Sequence, residues 1–309
     1  MAYVKSAKDN FNYACLRSDF FPFRTNKTLL LQNIFKSGII FEQCYLTNFN
    51  AMKSLKIIFL IILTNILFIM SKDATEPIPN YAFKSGENLK YLAHYGIIDG
   101  GEAMLSVYEK EINNRKVFHA VATAKSLGIV DKLFNVKDTY ESYMDTKTGL
   151  PVKSIRNIKE DTYTFYDEVL FNHEENKITS KRKGEQTVPD NILDMVSAFY
   201  YARRVLFKNA EPGDVIELIT YFDDNVYPLK VRYKGAEIIK TKIGRVYCMK
   251  FCPVVEAGRI FDTENDMSIW ISKDNNFIPI RIQMDLMVGS VKCDLVEYSG
   301  LKNNLAIIK

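Results

Sequence analysis

From residue 87 onward, apolar and polar side chains alternate along the chain with a period of two. Alternation of this kind predicts β-strands that bury one face. The predicted strands of the first half are Leu89–Tyr95, Ala103–Tyr108, Val117–Ala124, Thr139–Asp145, Pro151–Ile158, Tyr163–Phe171 and Lys177–Lys183. Turn signals at Asp99-Gly100-Gly101, Asn113-Asn114 and Lys147-Thr148-Gly149 lie between them. The pattern therefore predicts successive antiparallel hairpins, with one helical turn at 127–134.

A helical period replaces this alternation once. Four apolar residues recur at spacings of four, three and four, namely Met195, Phe199, Ala202 and Leu206. This spacing predicts an amphipathic helix over 190–208. Asp190 or Asp194 can cap its N-terminus, and basic residues lie near its C-terminal end, namely Arg203, Arg204 and Lys208. Period two then returns and is clearest in 278–286.

The strands before and after this helix resemble each other at a nearly constant offset. Gly86-Glu87-Asn88-Leu89 resembles Gly213-Asp214-Val215-Ile216, and Lys116-Val117-Phe118-His119 resembles Arg245-Val246-Tyr247-Cys248. Leu150-Pro151-Val152-Lys153 likewise resembles Ile278-Pro279-Ile280-Arg281. An internal duplication is therefore predicted; two unrelated hairpin series are the alternative. The fold class that follows is mainly β, an antiparallel meander built from two similar halves as a half-barrel or distorted barrel, with one central amphipathic helix.

An apolar run precedes the predicted strands. Ile57 through Met70 is apolar apart from Thr64 and Asn65, and Lys53 and Lys56 lie before it. A membrane-spanning helix needs about 20 apolar residues, so this shorter run predicts a signal peptide over 52–71 that is cleaved near Ser71. An uncleaved amphipathic or anchoring segment is the alternative.

The signal peptide organises the rest of the chain. Met52 directly before the basic residues indicates that translation starts there, so 1–51 are predicted to be an upstream extension outside the fold. A linker over 72–82, a single β-rich domain over 83–302 and a frayed tail over 303–309 are predicted to follow. Within the domain, the helix over 190–208 joins the halves 83–188 and 211–302.

Removing the predicted leader changes the charge balance. The chain has 41 Lys and Arg against 37 Asp and Glu. Eight of the basic and three of the acidic residues lie in the first 71 positions, so the remainder carries 33 against 34. The predicted mature domain has no basic excess that would favour nucleic acid, and membrane contact is expected only through the export signal.

Three cysteines follow the predicted leader: Cys248, Cys252 and Cys293. Cys248 and Cys252 lie in one predicted strand, about 13 Å apart at about 3.3 Å per residue, which exceeds the roughly 7 Å limit for a disulfide. If a bridge forms in an oxidising compartment, Cys293 takes part, with Cys248 or Cys252 as its partner. The alternative is that all three are small buried apolar side chains.

The residue types that carry metal or catalytic chemistry are sparse. His94, His119 and His173 are the histidines of the chain, and they have no metal-ligand spacing. Asp262, Glu264 and Asp266 alternate but lack the glycine and terminal Glu of a calcium loop, which favours a solvated turn. No nucleophile elbow, phosphate loop or dinucleotide fingerprint is present. No cofactor or metal is therefore predicted, and no catalytic residue is assigned.

Four groups of residues carry a resemblance to a known family. They are Gly86-Glu87-x-Leu89-x-Tyr91, Asp99-Gly100-Gly101, the helix Asp194 to Arg203, and Ile269-Trp270-Ile271-Ser272-x-Asp274-x-x-x-Ile278-Pro279. Together they resemble the exported bacterial family catalogued as domain of unknown function thirty-one-zero-eight. The resemblance implies a β-rich fold and the envelope of a Gram-negative bacterium. The family has no agreed activity, so it assigns no role to any residue. Helix caps, salt-bridge partners or turn residues are the expected roles of Asp194, Arg203 and Asp274.

Three classes of function remain open for an exported protein of this kind. The favoured hypothesis is a non-enzymatic periplasmic protein that binds an apolar or amphipathic ligand, or a lipoprotein client, within a curved sheet partly covered by the helix. The alternatives are an envelope scaffold that uses a sheet edge, and an enzyme acting on envelope glycans or lipids. An enzyme requires two ionisable side chains that converge in a cleft.

Overall fold

The computed structural model describes residues 77–254 and 267–308. The predicted extension 1–51, the predicted signal peptide 52–71 and the start of the predicted linker lie outside these residues. The first half comprises β1 (Glu87–Tyr95), β2 (Ile98–Ile112), β3 (Arg115–Ser126), α1 (Gly128–Leu133), β4 (Lys137–Asp145), β5 (Pro151–Glu160), β6 (Tyr163–Asn172), β7 (Lys177–Ser180) and β8 (Gly184–Thr187). Then follow α2 (Met195–Val205), a 3₁₀ helix (Phe207–Asn209), β9 (Val215–Phe222), β10 (Asn225–Thr241), β11 (Gly244–Pro253), β12 (Met267–Ser272), β13 (Pro279–Asp285), β14 (Ser290–Ser299) and β15 (Ile307–Ile308).

All the described strands belong to one antiparallel sheet. Its order is β8-β7-β6-β5-β4-β3-β2-β1-β14-β13-β12-β11-β10-β9, with β15 beside β11. Each meander runs through hairpins between neighbouring strands, and the pairing of β1 with β14 joins the two. The predicted class, a mainly β antiparallel meander with a central helix, is confirmed. The sheet does not close, because its end strands β8 and β9 do not pair with each other.

The two ends of the sheet nevertheless meet. Leu193, in the segment after β8, donates its N–H to the carbonyl of Ile219 at 3.0 Å and accepts from the N–H of Tyr221 at 2.7 Å. Val169 and Ile178 from one end pack in the same apolar cluster as Tyr221 from the other. The sheet therefore curls until the chain after β8 covers the edge of β9, which removes an exposed edge.

Helix α2 begins at a capping box. The Asp194 carboxylate accepts from the N–H groups of Val196 at 2.8 Å and Ser197 at 3.0 Å, while Ser197 Oγ accepts from the N–H of Asp194 at 2.8 Å. The hydroxyl of Ser142 on β4 donates to the other carboxylate oxygen at 2.6 Å. Asp194 is therefore the cap, and Asp190, the other predicted candidate, lies outside the helix.

We expect Asp194→Ala to lower the free energy of unfolding by about 1–2 kcal/mol, since it removes the N-cap. Asp194→Asn should lie within about 0.5 kcal/mol of wild type, because Asn caps equally well. Burial raises the pKa of Asp194, and this effect is larger than that of the hydrogen bonds, which lower it. An uncharged side chain therefore suits this buried position. Urea unfolding at neutral pH measures both variants. Equal losses for Ala and Asn would contradict this account of the cap.

The buried face of α2 agrees with the predicted one in part, because Ala202 is buried and Phe199 and Leu206 pack against the main apolar cluster. Met195, Phe199 and Leu206 are only partly buried, whereas Tyr200 and Arg203 have almost no exposed surface. The Arg203 guanidinium lies inside the curled sheet, where Nη1 and Nη2 donate to the two carboxylate oxygens of Glu87 at 2.7 and 2.8 Å. The helical period missed this face because a curled sheet surrounds the helix, and a paired guanidinium can then be buried.

Aromatic rings fill the rest of the concave side. Phe251 on β11 lies 5.1 Å from Phe207 and 5.0 Å from Tyr233 between ring centroids, and Phe83 lies 4.7 Å from Tyr200. These side chains belong to one buried cluster, which joins α2 to strands of both halves. These buried aromatic side chains therefore pack against each other and against the helix.

Local details differ from the sequence predictions at three places. The β1–β2 turn lies at Gly96-Ile97, while Asp99-Gly100-Gly101 lies inside β2 at a register shift. A Cβ at Gly100 would lie 3.0 Å from Val130 Cγ2. This glycine therefore allows α1 to pack closely against β2 and does not form a turn. The predicted frayed tail instead forms β15 on β11, and β8 was not predicted. The turns at Asn113-Asn114 and at Gly149 have the positive φ angles expected of them.

Candidate functional site

The three histidines are held in separate places by protein groups. His94 Nε2 lies 3.2 Å from Asp294 Oδ2, His119 Nε2 lies 2.6 Å from Glu141 Oε2, and His173 Nε2 lies 2.8 Å from the carbonyl of Pro151. Burial lowers the pKa of His119, although the contact with Glu141 raises it. Over the described ranges no cluster of His, Cys, Asp or Glu is arranged to hold a metal ion. The acidic residues Asp262, Glu264 and Asp266 lie outside those ranges.

Cys248, Cys252 and Cys293 are free thiols in the structure. Cys248 and Cys293 lie in the same apolar cluster, whereas Cys252 lies 3.7 Å from the hydroxyl of Ser268. Burial raises the pKa of Cys248 to about 12 and that of Cys293 to about 11. The Cys248 and Cys293 thiols are therefore protonated, poorly reactive groups at neutral pH. A bridge from Cys293 stays a prediction.

The polar family residues have structural roles. Arg203 pairs with Glu87, and its Nε donates to the carbonyl of Asn276 at 2.8 Å. Asp274 accepts from the hydroxyl of Ser272 and from the N–H of Asn276 in the β12–β13 turn. With Asp194 at the helix cap, all three hold the fold together. Among the described residues no helix has the length and apolar character needed to span a membrane.

A crevice remains where the two ends of the sheet meet, and we call it the seam crevice. It lies between β4–β6, the start of α2 and the end of β9, and its cavity volume is about 30 Å³. Its lining residues are Tyr140, Glu141, Ser154, Ile155, Arg156, Asp167, Val169, Asp194, Met195, Val196, Tyr221, Phe222, Asp223 and Asp224. The lining thus combines charged and polar side chains with apolar ones.

Arg156 is the central cation of the seam crevice. Its guanidinium carbon lies 4.5 Å from the ring centroid of Phe165 and 4.4 Å from that of Phe222, so two aromatic rings hold it. Nη1 lies 3.6 Å from Asp223 Oδ1, beyond ordinary hydrogen-bond length. Nε is buried and has no hydrogen-bond partner among the described residues. A rigidly held donor therefore lacks an acceptor.

Asp224 has a carboxylate oxygen that lacks a hydrogen-bond donor among the described residues. Its Oδ2 lies 3.7 Å from Arg182 Nε and 3.8 Å from Lys183 Nζ, while Oδ1 is buried without a hydrogen-bond donor in the described part of the chain. Buried polar atoms in native proteins almost always have a partner. The seam crevice thus presents one donor and one acceptor that a small polar group could satisfy.

Two buried carboxylates of the seam crevice, Asp167 and Asp194, are engaged in hydrogen bonds. Asp167 accepts from the hydroxyl of Ser180 at 2.9 and 3.0 Å and from the N–H of Arg182 at 3.2 Å. Asp194 is the helix cap described above. These two buried carboxylates face the crevice, but they serve structural hydrogen bonds.

Sequence reasoning did not find the seam crevice. Its residues come from separate strands, a helix start and a turn, and no motif joins Arg156 to Phe222 or Asp224. Within the local sequence, the crevice is marked only by Arg156, a charged residue in the predicted strand Pro151–Ile158.

A protein-family model described as "Protein of unknown function (DUF3108)" matches residues 90–296. The chain belongs to the DUF3108 family. The matched residues include every residue that lines the seam crevice. A comparison with curated proteins gave no match.

Solved structures give distant likenesses. One is a beta-barrel-like protein of the domain of unknown function DUF1849 from Brucella abortus, with 9% identity and a TM-score of 0.48, covering 71% of this chain and 99% of that chain. Another is an exported protein with a YmcC-like fold from Bacteroides fragilis, described as putative in its name, with 11% identity and a TM-score of 0.32, covering 72% and 99%. A DUF1089 family protein from Pseudomonas aeruginosa has 11% identity and a TM-score of 0.27, covering 62% and 87%.

Proposed function

We propose that this protein is a non-enzymatic, exported envelope protein that binds an amphipathic ligand, a lipid or the lipid-modified end of a lipoprotein client, in the seam crevice. The observation that carries the proposal is Arg156, which lies against two aromatic rings and lines a partly apolar crevice with its buried Nε unpartnered by any described residue. A periplasmic location after cleavage near Ser71 belongs to the same proposal and is supported by the basic and apolar pattern over 52–71.

The two sides of the seam crevice suit the two parts of such a ligand. A head group with an acceptor oxygen and a hydroxyl would accept from Arg156 and donate to Asp224 Oδ1. The apolar part would lie against Met195, Val196 and Phe222. Rings that already hold the guanidinium reduce the conformational entropy lost on binding.

The hypothesis that this protein is an enzyme acting on envelope glycans or lipids has weaker support. Such an enzyme needs two ionisable groups free to exchange protons. The hydrogen bonds to Asp167 and Asp194 engage the buried carboxylates that face the crevice. A scaffold that uses the exposed strand β8 is a further alternative.

The test uses delipidated protein titrated with fluorescent lysophosphatidylglycerol and, separately, with a fluorescent fatty acid. We expect saturable binding that Arg156→Gln weakens by about tenfold or more, because a charged hydrogen bond contributes roughly 1.5–3 kcal/mol. Native mass spectrometry of protein purified from the periplasm should show a mature mass with a releasable lipid-sized adduct.

Arg115→Gln is the matched control. Arg115 pairs with Asp145 at 2.6 Å, its side chain is 53% exposed, and it does not line the seam crevice. The affinity of the Arg115→Gln variant for both lipid probes should equal that of wild type within about twofold. No uptake of either probe by wild type, or equal loss in both variants, would overturn the proposal.

We also propose that the two meanders descend from a duplication. Strand starts correspond at offsets between 127 and 129: Glu87 with Val215, Ile98 with Asn225, Arg115 with Gly244, Pro151 with Pro279 and Tyr163 with Ser290. A profile built from relatives over 83–188 should align with 211–302 in the same strand order. An alignment no better than that of shuffled sequences would contradict a duplication.

A further inference from the structure

Large apolar side chains are concentrated at one end of the sheet, away from the seam crevice. The highest exposures are those of Ile97 at 100%, Met287 at 103%, Leu133 at 79% and Val288 at 76%. We define the apolar apex as Ile97, Ile98, Ile129, Leu133, Phe134, Leu286, Met287 and Val288. A contiguous exposed group of this size in a soluble domain marks an interaction site.

The topology brings these residues together from three segments. Because β1 pairs with β14 with Tyr95 opposite Val291, the β1–β2 turn and the β13–β14 turn lie side by side. The Tyr95 hydroxyl donates to the carbonyl of Val288 at 2.8 Å and ties the two turns together. Helix α1 follows β3 at the same end, where the N–H of Leu127 donates to the carbonyl of Gly100 at 2.9 Å.

A polar depression lies between the two turns. It is lined by His94, Tyr95, Gly96, Gly289, Ser290 and Lys292, and its volume is about 360 Å³. Lys292 has no ion pair among the described residues, whereas His94 is held by Asp294. A cation, a hydroxyl and glycine backbone thus lie beside fully exposed apolar tips, a combination suited to a lipid phosphate.

The acidic groups near the apolar apex are bound within the protein. Asp99 lies 4.0 Å from Lys242, Glu102 lies 2.8 Å from Lys125, and Asp285 accepts from Gln283. Hydrogen bonds from Ser126 and Asn135 lower the pKa of Asp131, which stays ionised but engaged. Lys132 and Lys292 form no ion pair among the described residues, and neither do Asp131 and Asp285, so unpaired charges of both signs lie beside the apolar apex.

We propose that the apolar apex docks this protein on the surface of a lipid bilayer, with Ile97 and Met287 inserted among the acyl chains and Lys292 at the phosphates. The apex is a set of separate projecting turns and a short helix, a shape that enters a fluid headgroup layer without a matching partner surface. Lysines next to the inserted residues reach the headgroups with their amino groups. The surface is distinct from the seam crevice and does not depend on its ligand.

The test is cosedimentation with vesicles of phosphatidylcholine and phosphatidylglycerol in a three-to-one ratio, using the full chain as its host processes it. We expect the Ile97→Ser/Met287→Ser variant to lose about tenfold or more in partition coefficient, since two apolar side chains no longer enter the acyl chains. Lys292→Gln should lower it about fivefold. Any contribution from residues 52–71 is common to all variants.

Leu170→Ser/Val226→Ser is the matched control, because Leu170 is 50% and Val226 43% exposed and neither belongs to the apolar apex. It should bind vesicles like wild type, and all variants should keep the wild-type unfolding midpoint. Equal binding by the apex variant and wild type would overturn the proposal. The proposal would also be overturned if the wild-type protein formed a dimer that the apex substitutions abolish and that does not bind vesicles. The apolar apex would then join two copies of the protein in solution.

Discussion

Replacing Arg203 by Met should lower the free energy of unfolding by about 3–5 kcal/mol. The substitution leaves the Glu87 carboxylate without its partner in a place where both side chains have 0% exposure. It also removes the hydrogen bond from Arg203 Nε to the carbonyl of Asn276, so helix α2 loses its link to the β12–β13 turn. Urea unfolding followed by circular dichroism measures the change.

Two further variants separate the buried charge from the lost packing. The double variant Glu87→Gln/Arg203→Met should be more stable than Arg203→Met alone, because no uncompensated charge remains inside the sheet. Arg115→Met removes a pair whose arginine is 53% exposed and should lower stability by only about 1 kcal/mol or less. A loss from Arg203→Met no larger than that from Arg115→Met would show that the buried pair is not a structural requirement.

Phe251→Ala should lower the free energy of unfolding by about 3–5 kcal/mol, as for other buried phenylalanines. Phe251 is 1% exposed and contacts Phe207 after the helix and Tyr233 on β10, so the cavity would open between helix and sheet. The same urea titration measures it.

Phe134→Ala is the matched control, because Phe134 is 48% exposed on the apolar apex. Its stability should stay within about 0.5 kcal/mol of wild type, while its partition onto vesicles should fall. A similar loss of stability from both substitutions would mean that the aromatic cluster inside the sheet is not the main apolar core.

The sequence by itself determined the local elements of this protein. Alternation of apolar and polar residues predicted the strands, and Asn113-Asn114 predicted a hairpin turn that has the positive φ angles of that turn. The helical spacing after Thr187 predicted α2, and Asp194 was one of two caps foreseen. These features depend on residues within a few positions of each other, so their physical causes are present in the local pattern.

Only the tertiary structure decided which distant residues meet. Arg203 and Glu87 are 116 positions apart, and Tyr95 and the carbonyl of Val288 are 193 positions apart. The seam crevice likewise depends on how far the sheet curls before Leu193 meets β9. Curl and register arise from the summed twist of all strands and from the packing inside them. A local pattern therefore placed Arg203 at the polar end of a helix, and the sheet around it made that arginine a buried partner of Glu87.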